Sequence, residues 1–168
     1  MQEIALERFQ NRHAKDVLRN ATESGIIGCA PINSYEQSEH RLRSLINGAF
    51  SEFYTLSVCG ECKGCVYAYE HKPDDLHMKV ALESLSLSAR EHAEAMRLFL
   101  LLLFKRYPLK KVFFESVEGD ILEVWINLIG FKHELTLASA RFIGGVYKDL
   151  SIFSCYREEF DNEGLSAL

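Results

Sequence analysis

The stretch Leu76-His77-Met78-Lys79-Val80-Ala81-Leu82-Glu83 alternates apolar and polar side chains, the period of a strand with one buried face. It runs on through Ser84-Leu85-Ser86-Leu87, where the apolar phase shifts from Leu82 to Leu85 and Leu87. In a strand the side-chain period is two, so one extra residue produces such a shift. A strand over 76–87 with a β-bulge near Glu83–Ser84 is one reading, and a loop beginning at Leu85 is the other. Residues 89–107 then carry apolar positions nearly all round their second half, which predicts a buried helix. Lys110 to Val117 returns to strand composition. Strand, helix and strand over this length imply a right-handed parallel crossover, and the fold class follows as α/β with a sheet of mixed direction.

Upstream, residues 52–59 and 62–71 are rich in Tyr, Val and Phe and read as strands joined by a two-residue turn at Gly60-Glu61. Residues 72–75 make the next turn. Farther back lie a helix over 35–47 capped by Asn33 or Ser34, a loop over 23–33, a helix over 11–21 and a strand over 2–8. Downstream, a helix over 119–129 ends at Gly130, and strands over 131–138 and 146–156 pair through Gly144-Gly145. The order is β-α-α-β-β-β-α-β-α-β-β, mostly antiparallel with one parallel crossover. No repeat or linker interrupts it, so residues 1–168 read as a single domain.

The 168 residues are 48% hydrophobic and 26% charged, which excludes a disordered or low-complexity chain. The net charge of −5 argues against a nucleic-acid partner and suits a cationic substrate. The longest apolar run, Leu98 to Phe104, is far short of the roughly 20 residues a bilayer needs, so no membrane partner is expected. The N-terminus alternates polar and apolar residues and lacks the apolar core of a signal peptide. With an odd number of cysteines, Cys29, Cys59, Cys62, Cys65 and Cys155, this reads as a cytoplasmic protein with reduced thiols.

The element order resembles the GNAT superfamily of acyl-CoA N-acyltransferases. That family's pyrophosphate loop, Gln/Arg-x-x-Gly-x-Gly/Ala, corresponds here to Arg90-Glu91-His92-Ala93-Glu94-Ala95, with Ala93 in place of the first glycine. Val58 to Val66 looks like the family's second hairpin, and Ile129-Gly130-Phe131 like its Gly-Phe helix end. The tail Arg141 to Asp149 followed by Arg157-Glu158-Glu159-Phe160 looks like the branch of ribosomal-protein N-terminal acetyltransferases, as does the stretch Pro31 to Ile46. The resemblance implies acetyl-CoA as co-substrate, held by Leu85, Leu87, Arg90, Glu91, His92, Ala93, Glu94 and Ala95. A helix N-terminus suits a pyrophosphate because its amide N–H groups are unsatisfied and its dipole is positive there. It also implies an amine acceptor, a small molecule or a protein N-terminus, selected by loops 22–34 and 139–147. The tyrosine that many members place four residues before the Gly-Phe glycine is here Ile126, beside Trp125. Glu118 stands where an asparagine is common, and Ile121 where a serine is.

Acetyl transfer needs a deprotonated amine, a polarised thioester carbonyl and a stabilised thiolate. An amide freed by the bulge would polarise the carbonyl. Glu83 is the first candidate base, since partial burial raises a carboxylate's pKa towards useful values. Glu115 is the second; an ion-paired structural glutamate is the alternative for each. Tyr147 is the candidate acid, against a half-buried packing tyrosine. Cys59-x-x-Cys62-x-x-Cys65 admits zinc or an iron–sulfur cluster, but two paired strands leave no cluster loop, so no metal site is expected. Two functional readings follow: an N-acetyltransferase with degenerate motifs, or a GNAT-like module that binds acyl-CoA, another ligand or a protein without efficient chemistry. The first predicts an opening between 76–87 and 110–117 lined by a base. The second predicts that Phe113, Phe114 or Trp125 plugs it. The apolar β-rich tail is also suited to pairing with a second copy.

Overall fold

The structure, a computed structural model, describes residues 3–21, 35–84, 86–117, 125–143 and 145–164. A seven-stranded sheet forms its centre, in the order β1-β2-β3-β4-β5-β7-β6. The strands are β1 (Ile4–Arg8), β2 (Phe50–Val58), β3 (Glu61–Lys72), β4 (His77–Glu83), β5 (Lys111–Ser116), β6 (Lys132–Ile143) and β7 (Val146–Tyr156). All neighbours are antiparallel except β4 and β5, so the sheet has the mixed direction and single parallel pair that the sequence predicts. Helices α1 (Ala14–Ala21) and α2 (Tyr35–Gly48) cover one face through Val17, Leu18 and Leu42 against Phe53, Cys65 and Tyr67. Helix α3 (Ala89–Arg106) covers the other, burying Met96, Phe99, Leu100 and Leu103 completely. Each such side chain contributes about 1.5–3 kcal/mol, so α3 is the main anchor of the sheet.

Helix α3 forms where it does for local reasons. Its residues include no Gly, Pro or β-branched side chain. Ser88 caps its start, and Tyr107 leaves the helix in extended conformation (φ −120°, ψ 145°) because Pro108 follows. Residues 125–128 are helical and place Trp125, Ile126 and Ile129 against the core beside α3. Gly130 has φ +79°, the left-handed cap the sequence predicts. The predicted caps Asn33 and Ser34, the 23–33 loop, Leu85 and Gly144 lie outside the described residues.

Two expectations are corrected and one element is added. The two-residue turn is Cys59-Gly60, not Gly60-Glu61: both residues have positive φ (51° and 81°), which places the glycine second in the turn and starts β3 at Glu61. Strand β4 ends at Glu83 rather than 87, and its register with β3 is unbroken from Tyr69↔Lys79 to Cys65↔Glu83. The change of apolar phase therefore marks the end of the strand. The irregularities lie elsewhere, including one where β3 passes Lys63, between Leu56↔Gly64 and Ser57↔Cys62. Finally, the polar segment Arg157–Gly164 is a helix, α4, which the sequence reading did not assign.

Candidate active site

The parallel pair β4–β5 holds only from His77↔Lys111 to Val80↔Phe114. Beyond it, β4 stays with β3 as far as Glu83↔Cys65, and β5 stays with β7 as far as Ser116↔Ser151. Beyond Val80 and Phe114 the two strands no longer pair with each other, and this is the place for the opening that the enzyme reading expects between 76–87 and 110–117.

Glu83 stands on the β4 side of this opening. It shares the α1–α2 face with its cross-strand neighbour Cys65 and is 3% exposed. The Tyr67 hydroxyl donates a hydrogen bond to Glu83 Oε1. Burial and the adjacent Glu83 charge push the Tyr67 hydroxyl far above its ordinary pKa, and burial together with Glu83 does the same to the Cys65 thiol. Both therefore stay protonated. The backbone of Glu83 is clipped to β3 from two sides. Ser84 Oγ donates to the Lys63 carbonyl at 2.7 Å, and Gly64 comes so close that an added Cβ would lie 2.1 Å from the Glu83 carbonyl oxygen.

Glu115, the second candidate base, lies on the β5 side. Its oxygens are taken by Lys79 (2.7 Å) and Arg141 (3.0 Å), and Lys79 also bridges to Glu70 (2.9 Å). Burial opposes the charge on Lys79, but its bonds to Glu115 and Glu70 outweigh this and raise its pKa. Tyr69 lies between the two acids: burial first, then Glu115, Glu70 and Glu83, raise its hydroxyl pKa. Tyr147, the candidate acid, is 69% exposed and packs on Phe142 at 5.0 Å. It sits in the β6–β7 hairpin four residues before Ser151, the first β7 residue paired with β5, and is not brought together with Glu83. Its neighbour on the hairpin, Arg141, is the residue that reaches inward.

Ser88 and Glu91 close the start of α3 between them. Ser88 Oγ accepts from the Glu91 amide at 3.3 Å, while the Ser88 amide and hydroxyl donate to Glu91 Oε2 at 2.8 and 2.6 Å. This is a capping box. The Ser88 bonds hold the Glu91 carboxyl below the usual range. Arg90 and Glu94 are exposed and Leu87 is half-buried, while Ala93 and Ala95 turn into the core. The His92 ring stacks on Trp125 at 6.0 Å, and Trp125 meets Phe114 edge-on at 5.0 Å. Burial lowers the His92 pKa despite its bond to the Ser88 carbonyl. Trp125 thus links the start of α3 to Phe114, the last β5 residue paired with β4, on the α3 face of the opening. Phe113 faces the other way and is half-buried.

Solved structures with this architecture include a probable GNAT-family acetyltransferase from Chromobacterium violaceum, 16% identical over 94% of this chain and 85% of that one, TM-score 0.75. A spermidine N-acetyltransferase SpeG chimera from Vibrio cholerae and hSSAT is 15% identical over 95% of this chain and 98% of that one, TM-score 0.80. The chain has the GNAT fold. RimL, a ribosomal L7/L12 alpha-N-protein acetyltransferase in complex with coenzyme A, shares the GNAT fold as well, at 12% identity, 91% and 93% coverage and TM-score 0.76. No protein-family model and no curated protein sequence matches the chain. Within this GNAT fold, Ile126 is fully buried core at the position where the resemblance expects a tyrosine.

The sequence reading missed Tyr67, Lys79 and Arg141, which meet the two glutamates only through strand register. It also missed Ser88, although Ser88-x-x-Glu91 is a visible capping signal. Among the described residues no His, Cys, Asp and Glu side chains cluster as a metal would need, and no helix is long and apolar enough to cross a membrane.

Proposed function

We propose that the protein is an acetyl-CoA-dependent N-acetyltransferase acting on a primary amine, either a small amine or a protein N-terminus. The observation that carries this reading is the parting of β4 from β5 with a buried carboxylate, Glu83, on its wall and a helix N-terminus at its mouth. Glu83 takes the proton of the incoming ammonium through a water, leaving the amine free to attack. A backbone N–H beyond the end of β4 polarises the thioester carbonyl. Arg90 and the first amides of α3 hold the pyrophosphate of acetyl-CoA. The proton released by the acceptor nitrogen returns to the departing thiolate through solvent, since Ile126 offers no acid.

Acetyl-CoA with spermidine, and separately with a peptide bearing a free α-amine, provides the test through release of the thiol. Turnover that falls by about 10²-fold or more in Glu83→Gln supports the assignment. Absence of thiol release with both amines, together with no calorimetric heat from millimolar acetyl-CoA, sinks it. Heat abolished by Arg90→Glu, without turnover, favours the second reading. That reading is a binding module, and the stack of Trp125 on His92 across the mouth of the opening is the observation in its favour. The proposal includes a homodimer built on the exposed β6 edge, and a cytoplasmic location.

A further inference from the structure

We propose that Tyr67 is a positioning residue for Glu83: its hydroxyl fixes carboxylate Oε1 on the wall of the opening and favours the ionised form there. The geometry comes from strand register. Tyr67 pairs with Ala81, so Glu83 is its diagonal neighbour on the same face, within the reach of a long aromatic side chain. The small side chain of Ala81 leaves the ring free to lean across. The ring is then fixed by packing: Tyr67 is fully buried, tilted on Phe50 at 4.4 Å and stacked on Phe53 at 5.8 Å. The hydroxyl is therefore delivered to Glu83 by a rigid aromatic cluster.

A buried carboxyl group drifts towards its neutral form unless a donor stabilises its charge. Tyr67 supplies such a donor and cannot become an anion itself, because burial and Glu83 both oppose it. Other ionisable groups lie around the pair. On β3, Cys65 is a buried thiol whose pKa Glu83 raises, and Cys62 lies past the irregularity at Lys63. Tyr69 feels the charges of Glu115, Glu70 and Glu83, and Lys79 and Arg141 are engaged with Glu115. From the helices, α1 and α2 present Val17, Leu18 and Leu42 to this cluster, and the charges of Asp16 and Arg19 from α1 and of Glu7 from β1 are felt at Cys62.

The test is carbon-13 NMR of protein labelled at its glutamate carboxyl carbons, with the Glu83 resonance assigned by its loss in Glu83→Gln. Removing a hydrogen bond to a charged group should raise the Glu83 midpoint in Tyr67→Phe by about one pH unit or more. If Tyr67→Phe does not fold, replacing the tyrosines by 3-fluorotyrosine reads the same bond, since the more acidic hydroxyl is a stronger donor, and a downward shift of the Glu83 midpoint is expected. An unmoved midpoint overturns the inference. The catalytic meaning of the pair rests on Glu83 acting as the base, and kinetics separate the two claims. With acetyl-CoA and spermidine, the acid limb of kcat/KM should move up with the NMR midpoint. A midpoint that moves while the limb stays overturns Glu83 as the base and leaves the Tyr67–Glu83 pairing standing.

Discussion

Gly64 has no room for a methyl group. Its Cβ would meet the Glu83 carbonyl oxygen at 2.1 Å and Ser84 Cβ at 3.0 Å, and the first of these is backbone that cannot rotate away. Gly64→Ala must therefore push the end of β4 off β3. We expect a loss of about 1–3 kcal/mol in urea unfolding, with a larger proportional loss of any Glu83-dependent turnover. Glu91 presents the opposite situation, a group that fits its place yet conflicts with the proposed ligand. Its carboxylate closes the capping box at the end of α3 that would receive a pyrophosphate. Glutamine keeps the box and removes the charge. Glu91→Gln should therefore bind acetyl-CoA about threefold more tightly or better by calorimetry at low salt, with the gain shrinking as salt screens the repulsion. Equal affinity in the two proteins would mean that the phosphates lie away from Glu91.

Helix α3 is held at both ends by side chains from different sources. Ser88 and Glu91 close its start, while its C-terminal end depends on α4. Arg157 Nε donates to the Leu109 carbonyl at 2.8 Å, and its Nη2 donates to the carbonyls of Phe104 and Tyr107. Arg157→Ala leaves these acceptors without their charged donor and should cost about 2 kcal/mol. In a chain of this size that lowers Tm by roughly 4–8 °C, measurable by calorimetric melting. The same elements show what a sequence discloses. The alternation Leu76, Met78, Val80, Leu82 and the apolar second half of α3 declare their structures because their periods are strong and unbroken. The phase shift at Leu85 is ambiguous, since an inserted residue and a strand end give the same local pattern. Arg157–Gly164 carries five charged residues and one buried aromatic, Phe160, so it has almost no apolar period. Glu83 draws notice in the sequence because it adjoins the phase shift, and the start of α3 because a capping serine and a long apolar helix follow one another there. Tyr67 and Arg141 do not, because their partners lie 16 and 26 residues away and meet them only once strands are in register.

Across the molecule, apolar surface is unevenly spread. Among the described residues, seven of nine exposed large hydrophobic side chains, among them Leu135, Leu137 and Phe142, are on β6 and β7, and β6 is an edge strand exposed along its whole length. Contiguous apolar surface on a sheet edge is a pairing surface. Sedimentation velocity should show a dimer at tens of micromolar, and Leu137→Lys should return it to a monomer. A wild-type monomer at those concentrations would remove the homodimer from the proposal. The position of Trp125 has a practical consequence of its own. It is the chain's single tryptophan, and it is buried against His92 at the start of α3 and Phe114 at the parting of the sheet. Nearly all the protein's indole fluorescence therefore originates at one place, the mouth of the proposed acetyl-CoA groove. Its emission should lie to the blue of free tryptophan, and adding acetyl-CoA should change its intensity in step with occupancy. The molecule thus carries its own optical reporter of whether that groove opens.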